Sequence, residues 1–290
     1  MTSFDSQWIP GPRGATSDCY YCKTDDRIFL KLFHARFPKE LAEREYATVR
    51  EIHAAGKLTV PYAQKLLAVN GRRGIVYERI FGKTYAEMLK EHTISPSDCA
   101  EHFGKEAFRL HHTEFDTDLM RVPQLRDEIE ASIDFLYSGS RARQLFHRTL
   151  DRIYAASKGD ILLHGDLHPG NLMFTEKGRY WIDMGYAAKG PAIFDLAAAD
   201  VMLNFLPTAL FIENQFGLPL KKRRQLYTHF LETYFQTDDR KEIKRRKKKI
   251  RLCSIFSLFN IAYRFNWQGK AKHFLKPIML ITVFVMKRHI

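Results

Sequence analysis

Two acids and an amide stand at a spacing that suits phosphoryl transfer from ATP. Asn171 follows Asp166 by five residues, and Asp183 follows Asp166 by seventeen. In such an arrangement the first carboxylate positions and deprotonates an attacking hydroxyl, while the amide and the second carboxylate hold Mg²⁺ against the phosphates. The segments that contain Asp166 and Asn171 are also rich in Gly, Pro, Asp and Asn, which favour simple turns. Because they occur together beside short apolar segments, the sequence favours a magnesium-dependent site over two unrelated turns.

Three segments of the chain match the motifs of a known family. The sequence is His-Gly-Asp-Leu-His-Pro-Gly-Asn over residues 164–171, Trp-Ile-Asp-Met-Gly over 181–185 and Phe-Asp-Leu-Ala over 194–197. Together they resemble the protein-kinase-like phosphotransferases of the aminoglycoside phosphotransferase and choline kinase type. The resemblance implies an α+β, bilobal protein-kinase-like fold with a small antiparallel-sheet N-lobe, a mostly helical C-lobe and ATP in the cleft between them.

The resemblance also implies roles for single residues of these segments. Asp166 would be the catalytic base, Asn171 and Asp183 would be the magnesium ligands, and His164 would support the backbone of the loop. Asp195 would be structural. Two possibilities stay open for it, a helix N-cap and an acceptor of hydrogen bonds from the catalytic loop.

A kinase-like N-lobe needs a lysine on its third strand for the ATP phosphates and a helical glutamate to hold that lysine. Lys31 lies in a strand-like segment and is the candidate for the first role. Glu45 is the candidate for the second, because Glu45, Val49 and Ile52 follow helical spacing and can share an inward face. Glu43 is the substitute candidate. A solvated helix face is the structural alternative for these acids.

Two further segments would contact the nucleotide. The loop over the phosphates would use backbone N–H groups and small side chains, and its residues would be Gly14, Ala15, Thr16 and Ser17. The hinge would face adenine with a backbone amide and carbonyl, and its residues would be Glu78, Arg79 and Ile80. A surface turn is the alternative for the loop, and a plain interdomain linker is the alternative for the hinge.

The secondary-structure signals around these residues change along the chain. Up to about Phe81, alternating apolar residues and turn signals predict strands at 19–22, 27–33, 65–69 and 74–80, with loops at 11–17 and 70–73. A helix is predicted to begin after Pro38 and to end at Gly56. The first two strands are expected to form an antiparallel hairpin.

Beyond Gly82 the periodicity becomes helical. Helices are predicted from about 84 to 156 and again beyond Ala192, with a β-rich stretch at 161–183 between them. We therefore expect an N-lobe at residues 1–81 and a C-lobe at residues 82–290, which would carry the catalytic loop, the metal site and the acceptor-binding helices.

Composition excludes several classes of protein. The chain of 290 residues is 45% hydrophobic and 27% charged, which is typical of a globular protein and not of a disordered or collagen-like chain. The longest apolar run, at 277–286, is shorter than the roughly 20 residues of a membrane-spanning helix, and a final core helix is favoured there over an interfacial one. Four cysteines, including the pair Cys19 and Cys22, favour a reducing cytoplasm.

The histidines do not favour a zinc site. His164 and His168 are four residues apart, but the glycines and proline around them disfavour the continuous helix that a zinc pair of this spacing needs. His111 and His112 lie at the end of a predicted helix, where we expect both to pack.

A run of basic residues stands in the last long predicted helix. Residues 240–251 contain nine lysines and arginines in twelve positions, within a chain whose formal net charge is +13. Such a run could contact a lipid or other anionic surface, a nucleic acid or an anionic substrate, and a solvated helix end is the commonest alternative. No specific nucleic acid is predicted. The expected location is the cytoplasm, with a possible peripheral contact to a membrane.

The sequence thus predicts an ATP- and Mg²⁺-dependent kinase that transfers the γ-phosphoryl group to a hydroxyl-bearing small molecule. The positive net charge favours an anionic or glycan-like acceptor over a polycation such as an aminoglycoside. One alternative is a kinase that acts on a protein or on a membrane-linked sugar. A second is a catalytically silent, kinase-like binding module, which the presence of Lys31, Asp166, Asn171 and Asp183 disfavours.

Overall fold

The computed structural model describes residues 7–116, 120–205 and 215–265, apart from the side chain of residue 205. The apolar run at 277–286 lies outside the described residues. Across the described ranges, no helix combines the length and the apolar character that crossing a bilayer requires.

The N-terminal part is a single antiparallel sheet of five strands in the order β1-β2-β3-β5-β4. The strands are β1 (Trp8–Arg13), β2 (Ser17–Cys22), β3 (Ile28–Phe33), β4 (Ala63–Val69) and β5 (Arg72–Glu78). The predicted antiparallel hairpin is observed between β2 and β3, and β1 extends it to a three-stranded meander. The loop predicted at 11–17 shrinks because Arg13 pairs with Asp18 in the ladder. The turn predicted at 70–73 shrinks to Asn70 and Gly71, both with positive φ.

One helix, α1 (Lys39–Ala55), packs on this sheet. It buries Val49 and Ile52 beneath the strands, as its apolar spacing predicts. Gly56 ends it in the left-handed conformation, with φ of 64°, and donates its N–H to the carbonyl of His53. The predicted helix is confirmed.

The C-terminal part is mostly helical. Its helices are α2 (Tyr85–Lys90), α3 (Pro96–His112), α4 (Leu125–Tyr137), α5 (Arg141–Ala155), α6 (Ile193–Asp200), α7 (Leu220–Phe235) and α8 (Arg240–Arg264). Its short strands are β6 (Lys83–Thr84), β7 (Ile161–Leu163), β8 (Leu172–Thr175), β9 (Gly178–Trp181) and β10 (Ala188–Gly190). They form one sheet of order β6-β8-β9 and a second of β10 and β7. The predicted bilobal α+β architecture is confirmed.

A buried aromatic cluster joins the helices of this lobe to its small sheets. Phe103 on α3 stacks on Phe230 of α7 with ring centroids 4.6 Å apart, and also contacts Trp181 at the end of β9. The helices approach closely at Gly104, where a Cβ would lie 2.8 Å from Thr233. This packing fixes the strands that flank the polar loops, so the loops stand on a rigid base.

The basic run occupies the first half of α8. Several of its cations have partners inside the lobe, because Arg246 pairs with Glu242 at 2.5 Å and Arg251 pairs with Asp200 at 2.7 Å. Lys247 donates to the hydroxyl of Thr228 on α7 at 2.6 Å. The run is thus only in part a free surface charge.

Candidate active site

The deepest ion pair of the cleft joins β3 to α1. The Lys31 Nζ donates to both carboxylate oxygens of Glu45, at 2.8 and 2.7 Å, and the hydroxyl of Tyr77 donates to the same carboxylate at 2.8 Å. Lys31 and Glu45 are 6% and 1% exposed. Glu43 instead pairs with Arg73 at the surface. The structure therefore brings Glu45, and not Glu43, to the lysine.

Asp183 meets the same lysine from the other lobe. Its Oδ1 lies 2.6 Å from the Lys31 Nζ, and its side chain is 40% exposed to the cleft. Burial alone would lower the pKa of Lys31, but the carboxylates of Asp183 and Glu45 outweigh it and raise that pKa above its usual value. Lys31 is therefore an ammonium at neutral pH.

The backbone after Asp183 is shaped by its close approach to α1. Asp183 itself has φ of 59°, a left-handed conformation that aspartate tolerates better than most residues. A Cβ at Gly185 would lie 2.6 Å from the Glu45 carboxylate, so only glycine fits there without a shift. The sequence after the acid thus permits the contact between this loop and the helix.

Asp166 lines the same cleft, in the loop after β7. The Asn171 Nδ2 donates to the backbone carbonyl of Asp166 at 2.8 Å and to its carboxylate at 3.2 Å. Burial alone would raise the pKa of Asp166, but His168, whose Nε2 is 3.6 Å away, outweighs it together with Arg264 and holds that pKa well below its usual value. Asp166 is therefore a carboxylate at neutral pH.

The loop that carries Asp166 is anchored by hydrogen bonds to a buried carboxylate. Asp195 accepts hydrogen bonds from the backbone N–H groups of His164 at 2.7 Å and Gly165 at 2.8 Å. Its third partner is the ring of His111 at 3.0 Å, which also forms a hydrogen bond with the hydroxyl of Tyr234 at 2.8 Å. Of the two possibilities for Asp195, the loop acceptor is the one observed, since α6 has no side-chain N-cap. His111 is a buried member of this network, which its predicted packing role did not include.

The ring of His164 lies behind the loop and outside the cleft. Its Nε2–H donates to the carbonyl of Ile182 at 3.0 Å, and burial lowers its pKa, so the ring is neutral. Gly165 has φ of 76°, and a Cβ there would collide with the carbonyl of Tyr186. The loop before Asp166 is thus in close contact with the segment after Asp183. In the ranges described, no group of three or more His, Cys, Asp or Glu side chains is placed to hold a metal ion.

The loop predicted over the phosphates lies between β1 and β2. The N–H of Gly14 donates to the carbonyl of Ser17 at 2.8 Å, and Arg36 donates to the carbonyl of Ala15 at 2.8 Å. Ser17 is the first residue of β2 and is 4% exposed. The tight turn therefore comprises residues 14–16.

The predicted hinge begins at Glu78, the last residue of β5. The strand ends at Glu78, two residues before the predicted end. The amide of Glu78 donates to Tyr62 at 2.9 Å, and that of Arg79 donates to Arg27 at 2.7 Å. The hinge backbone up to Arg79 is thereby tied to the N-terminal sheet.

These segments enclose a cleft of about 730 Å³. With one exception, every residue predicted for the site lines it, namely Gly14, Ala15, Thr16, Ser17, Lys31, Glu45, Glu78, Arg79, Ile80, Asp166, Asn171 and Asp183. The exception is His164, which supports the loop from behind. Lining residues that the sequence did not single out include Tyr186, Ile261, Arg264 and Phe265. Tyr186 directly follows the segment 181–185, but no spacing rule marks it. The other three lie at the end of α8, far along the chain from the polar loops.

The family model described as phosphotransferase enzyme family matches residues 7–216 of this chain. That range contains all the residues predicted for the site. The chain belongs to the phosphotransferase enzyme family. The resemblance drawn from the polar loops is thereby confirmed.

Individual relatives are more distant. A methylthioribose kinase from Geobacillus thermodenitrificans (strain NG80-2) is 31% identical over 110 residues, which are 37% of this chain and 25% of that protein. The match thus spans about a quarter of the length of this curated relative. Two solved structures share the fold. The GDP and kanamycin complex of APH(2'')-IIia has a TM-score of 0.58 at 14% identity and covers 93% of this chain and 92% of that one. A choline/ethanolamine kinase family protein from Mesorhizobium loti has a TM-score of 0.53 at 16% identity, over 91% and 88%.

Proposed function

We propose that this member of the phosphotransferase family is a kinase that transfers the γ-phosphoryl group of ATP to a hydroxyl group of a small molecule, with Mg²⁺. The observation that carries the proposal is the meeting of Lys31, Asp166, Asn171 and Asp183 in one cleft. Their side chains supply the phosphate contact, the base and the hard oxygen ligands that this reaction needs. We place the boundary between the lobes at Phe81, so that the cleft lies between residues 1–81 and 82–290.

We assign the nucleotide to the N-lobe side of the cleft. Lys31 would contact the phosphates, and Glu45 would hold it in place. The turn at residues 14–16 and the start of β2 at Ser17 would cover the phosphates with backbone N–H groups. Because the Glu78 and Arg79 amides already donate inside the chain, we assign the adenine contact of the hinge to the backbone of Ile80.

The donor set fits a magnesium ion. Asp183 offers a carboxylate that is 40% exposed to the cleft. The amide nitrogen of Asn171 donates to Asp166, which turns the amide oxygen, the atom that a hard cation prefers, away from Asp166. When bound, the ion would neutralise charge on the phosphate oxygens. Asp183 and Asn171 would hold it.

Asp166 would take the proton of the acceptor hydroxyl. The side chain is a carboxylate at neutral pH, and the hydrogen bond from Asn171 fixes its orientation. The loop that holds it is anchored by Asp195 and His164, which do not reach the cleft. The contribution of Asp166 would therefore be orientation of the hydroxyl and acceptance of its proton late in the transfer.

The described wall beside Asp166 bears on the acceptor. It includes the aromatic rings of Tyr186 and Phe265, the aliphatic Ile261, the amide of Gln215 and the guanidinium of Arg264. Aromatic faces suit the apolar face of a sugar ring, and a guanidinium disfavours a polycation. We propose a glycan-like or anionic acceptor rather than an aminoglycoside.

The basic run does not belong to this wall. Of α8, the described cleft lining includes Ile261 and Arg264, at the end of the helix away from residues 240–251. At 1.5 Å per residue, Lys249 lies about 22 Å along the helix from Arg264. The basic run is therefore too far from the cleft for the acceptor contact that its charge suggested. We propose instead that it contacts an anionic surface. A kinase for a membrane-linked sugar is the second candidate, and this run is the observation that favours it.

Vesicle binding tests the surface contact. Replacing the exposed Lys244, Lys248 and Lys249 by Gln should weaken binding to phosphatidylglycerol-containing vesicles by about tenfold or more at low salt, since each lysine near an anionic surface contributes about 1 kcal/mol. Equal vesicle binding by the wild-type chain and the triple variant would rule out the second candidate, a kinase for a membrane-linked sugar.

An ATP-consumption screen tests the main proposal. Neutral sugars, sugar phosphates, aminoglycosides and choline are offered in parallel with Mg²⁺, and Asp166→Asn serves as the control at the same protein concentration. Consumption that depends on one acceptor and on Asp166 supports the proposal. Equal consumption by the wild-type chain and the variant for every acceptor would reject it.

A further inference from the structure

Three charged side chains that are far apart in the sequence form one cluster at the edge of the cleft, and one of them, Arg264, also lines it. The carboxylate of Glu128, on α4, accepts from Arg44 Nη1 at 2.8 Å and from Arg264 Nη2 at 2.9 Å. The exposed fractions of the side chains are 19% for Glu128, 26% for Arg44 and 13% for Arg264. The carboxylate thus bridges α1 of the N-lobe and the last turn of α8.

Each guanidinium of this cluster also contacts a loop of the proposed active site. Arg44 Nη2 donates to the carbonyl of Gly185 at 2.9 Å, two residues after Asp183. Arg264 Nη1 donates to the carbonyl of Gly165 at 3.2 Å, directly before Asp166. The guanidinium of Arg264 also stacks on the ring of Tyr186, 3.9 Å from its centroid.

Glu128 is the only negative charge that the described hydrogen bonds and ion pairs give to these two cations. Without it, two guanidinium groups would face each other in a partly buried space, where their repulsion is stronger than in water. Burial alone would raise the pKa of Glu128, but Arg264 and Arg44 outweigh it and lower that pKa, so the carboxylate is charged at neutral pH. Arg44 also adjoins Glu45, so the cluster fixes α1 next to the residue that holds Lys31.

We propose that Glu128 is a positioning residue that holds the loop of Asp166 and the loop of Asp183 in register with helix α1, acting through Arg264 and Arg44. Its catalytic consequence rests on the proposed kinase function, because only then do both loops act on one phosphoryl group. The positioning of the two loops by Glu128 does not depend on that function. A small misplacement of either loop would misalign the base and the metal ligand, which lowers the rate of transfer more than it weakens nucleotide binding.

The first test is amide hydrogen exchange on Glu128→Gln, with Glu130→Gln as the matched control. Glu130 lies on the same helix and pairs with Arg126 at the surface, with its side chain 37% exposed. We expect exchange about tenfold faster in Glu128→Gln at three amides of the two loops, and no change in Glu130→Gln. They are the amides of His164 and Gly165, which donate to Asp195, and of Ala187, which donates to the carbonyl of Met184. Unchanged exchange in Glu128→Gln would overturn the proposal. Faster exchange spread evenly over the chain would also do so, because it would indicate a general loss of stability.

The second test is kinetic. In Glu128→Gln, kcat should fall about tenfold while the KM for ATP stays within about threefold. The double variant Arg44→Gln with Glu128→Gln should be no slower than the slower single variant, since each single variant already breaks the contact between Glu128 and Arg44. Additive losses would contradict action through Arg44. If the wild-type chain transfers no phosphoryl group at all, the proposed function fails, and the exchange experiment still decides the positioning role.

Discussion

The two ends of helix α8 carry cations of very different consequence. Residues 240–251 contain nine lysines and arginines, whose described partners, such as Glu242, Thr228 and Asp200, all lie within the C-lobe. The last turn carries Arg264 alone, and this side chain contacts Gly165 and Glu128, which are 99 and 136 positions away in the sequence. The number of charges in a segment therefore does not indicate where the candidate site lies. What matters is which loops a charge meets after folding.

Removing the proposed base should have the largest effect. We expect Asp166→Asn to lower phosphoryl transfer by about two to four orders of magnitude, because the contribution of a general base is made in the transition state. Affinity for Mg-ATP should stay within about threefold. Single-turnover kinetics and calorimetric titration measure the two quantities. Near-normal turnover in this variant would show that the cleft does not work through Asp166.

Removing the second acid should affect binding itself. Asp183→Ala deletes the carboxylate that we propose as a metal ligand and that meets Lys31 at 2.6 Å. We expect the affinity for ATP in the presence of Mg²⁺ to fall about tenfold to a hundredfold, since a charge-assisted contact contributes about 1.5–3 kcal/mol. Titration with and without Mg²⁺ checks this. An unchanged Mg²⁺ dependence would exclude Asp183 as a ligand.

The lysine partner offers a matched pair on one helix. Glu45→Gln should reduce kcat about tenfold or more, because it leaves Lys31 with a weaker anchor in a buried position. Glu43→Gln removes the same charge two residues earlier, where the side chain pairs only with Arg73 at the surface, and should change kcat less than about twofold. Steady-state kinetics on both variants compares a buried acid with an exposed one. Equal losses would mean that burial does not distinguish them.

The smallest expected effects compare the two ends of α8 directly. Arg264→Gln should lower kcat about tenfold, since it removes a charged hydrogen bond to the loop before Asp166. Lys248→Gln removes one positive charge from the exposed basic run and should leave kcat and the KM for ATP within about twofold. Measurements at two salt concentrations separate long-range steering from local contact. A larger loss in Lys248→Gln than in Arg264→Gln would reverse the comparison.

Much of the fold and of the candidate site could be predicted from the sequence, because the signals are local. Eighteen consecutive residues contain Asp166, Asn171 and Asp183, so their spacing can be recognised from the sequence alone. Helical spacing selected Glu45 over Glu43 because the inward face of α1 is set by its own apolar residues. The change from strand-like to helical periodicity near Phe81 likewise indicated two unlike lobes.

The remaining features were decided only by tertiary structure. Local turn signals suggested a loop at 11–17, but strand pairing extends β1 to Arg13, since ladder hydrogen bonds outweigh turn preference. Asp195 could have been a cap or a loop acceptor until the folded chain placed it beneath two backbone N–H groups. Arg44 and Glu128 are 84 positions apart, and no spacing rule links them. Their contact follows from how the helices pack, and so does the distance between the basic run and the cleft. Packing brings together residues that are far apart in the sequence, and no pattern in the sequence marks such pairs.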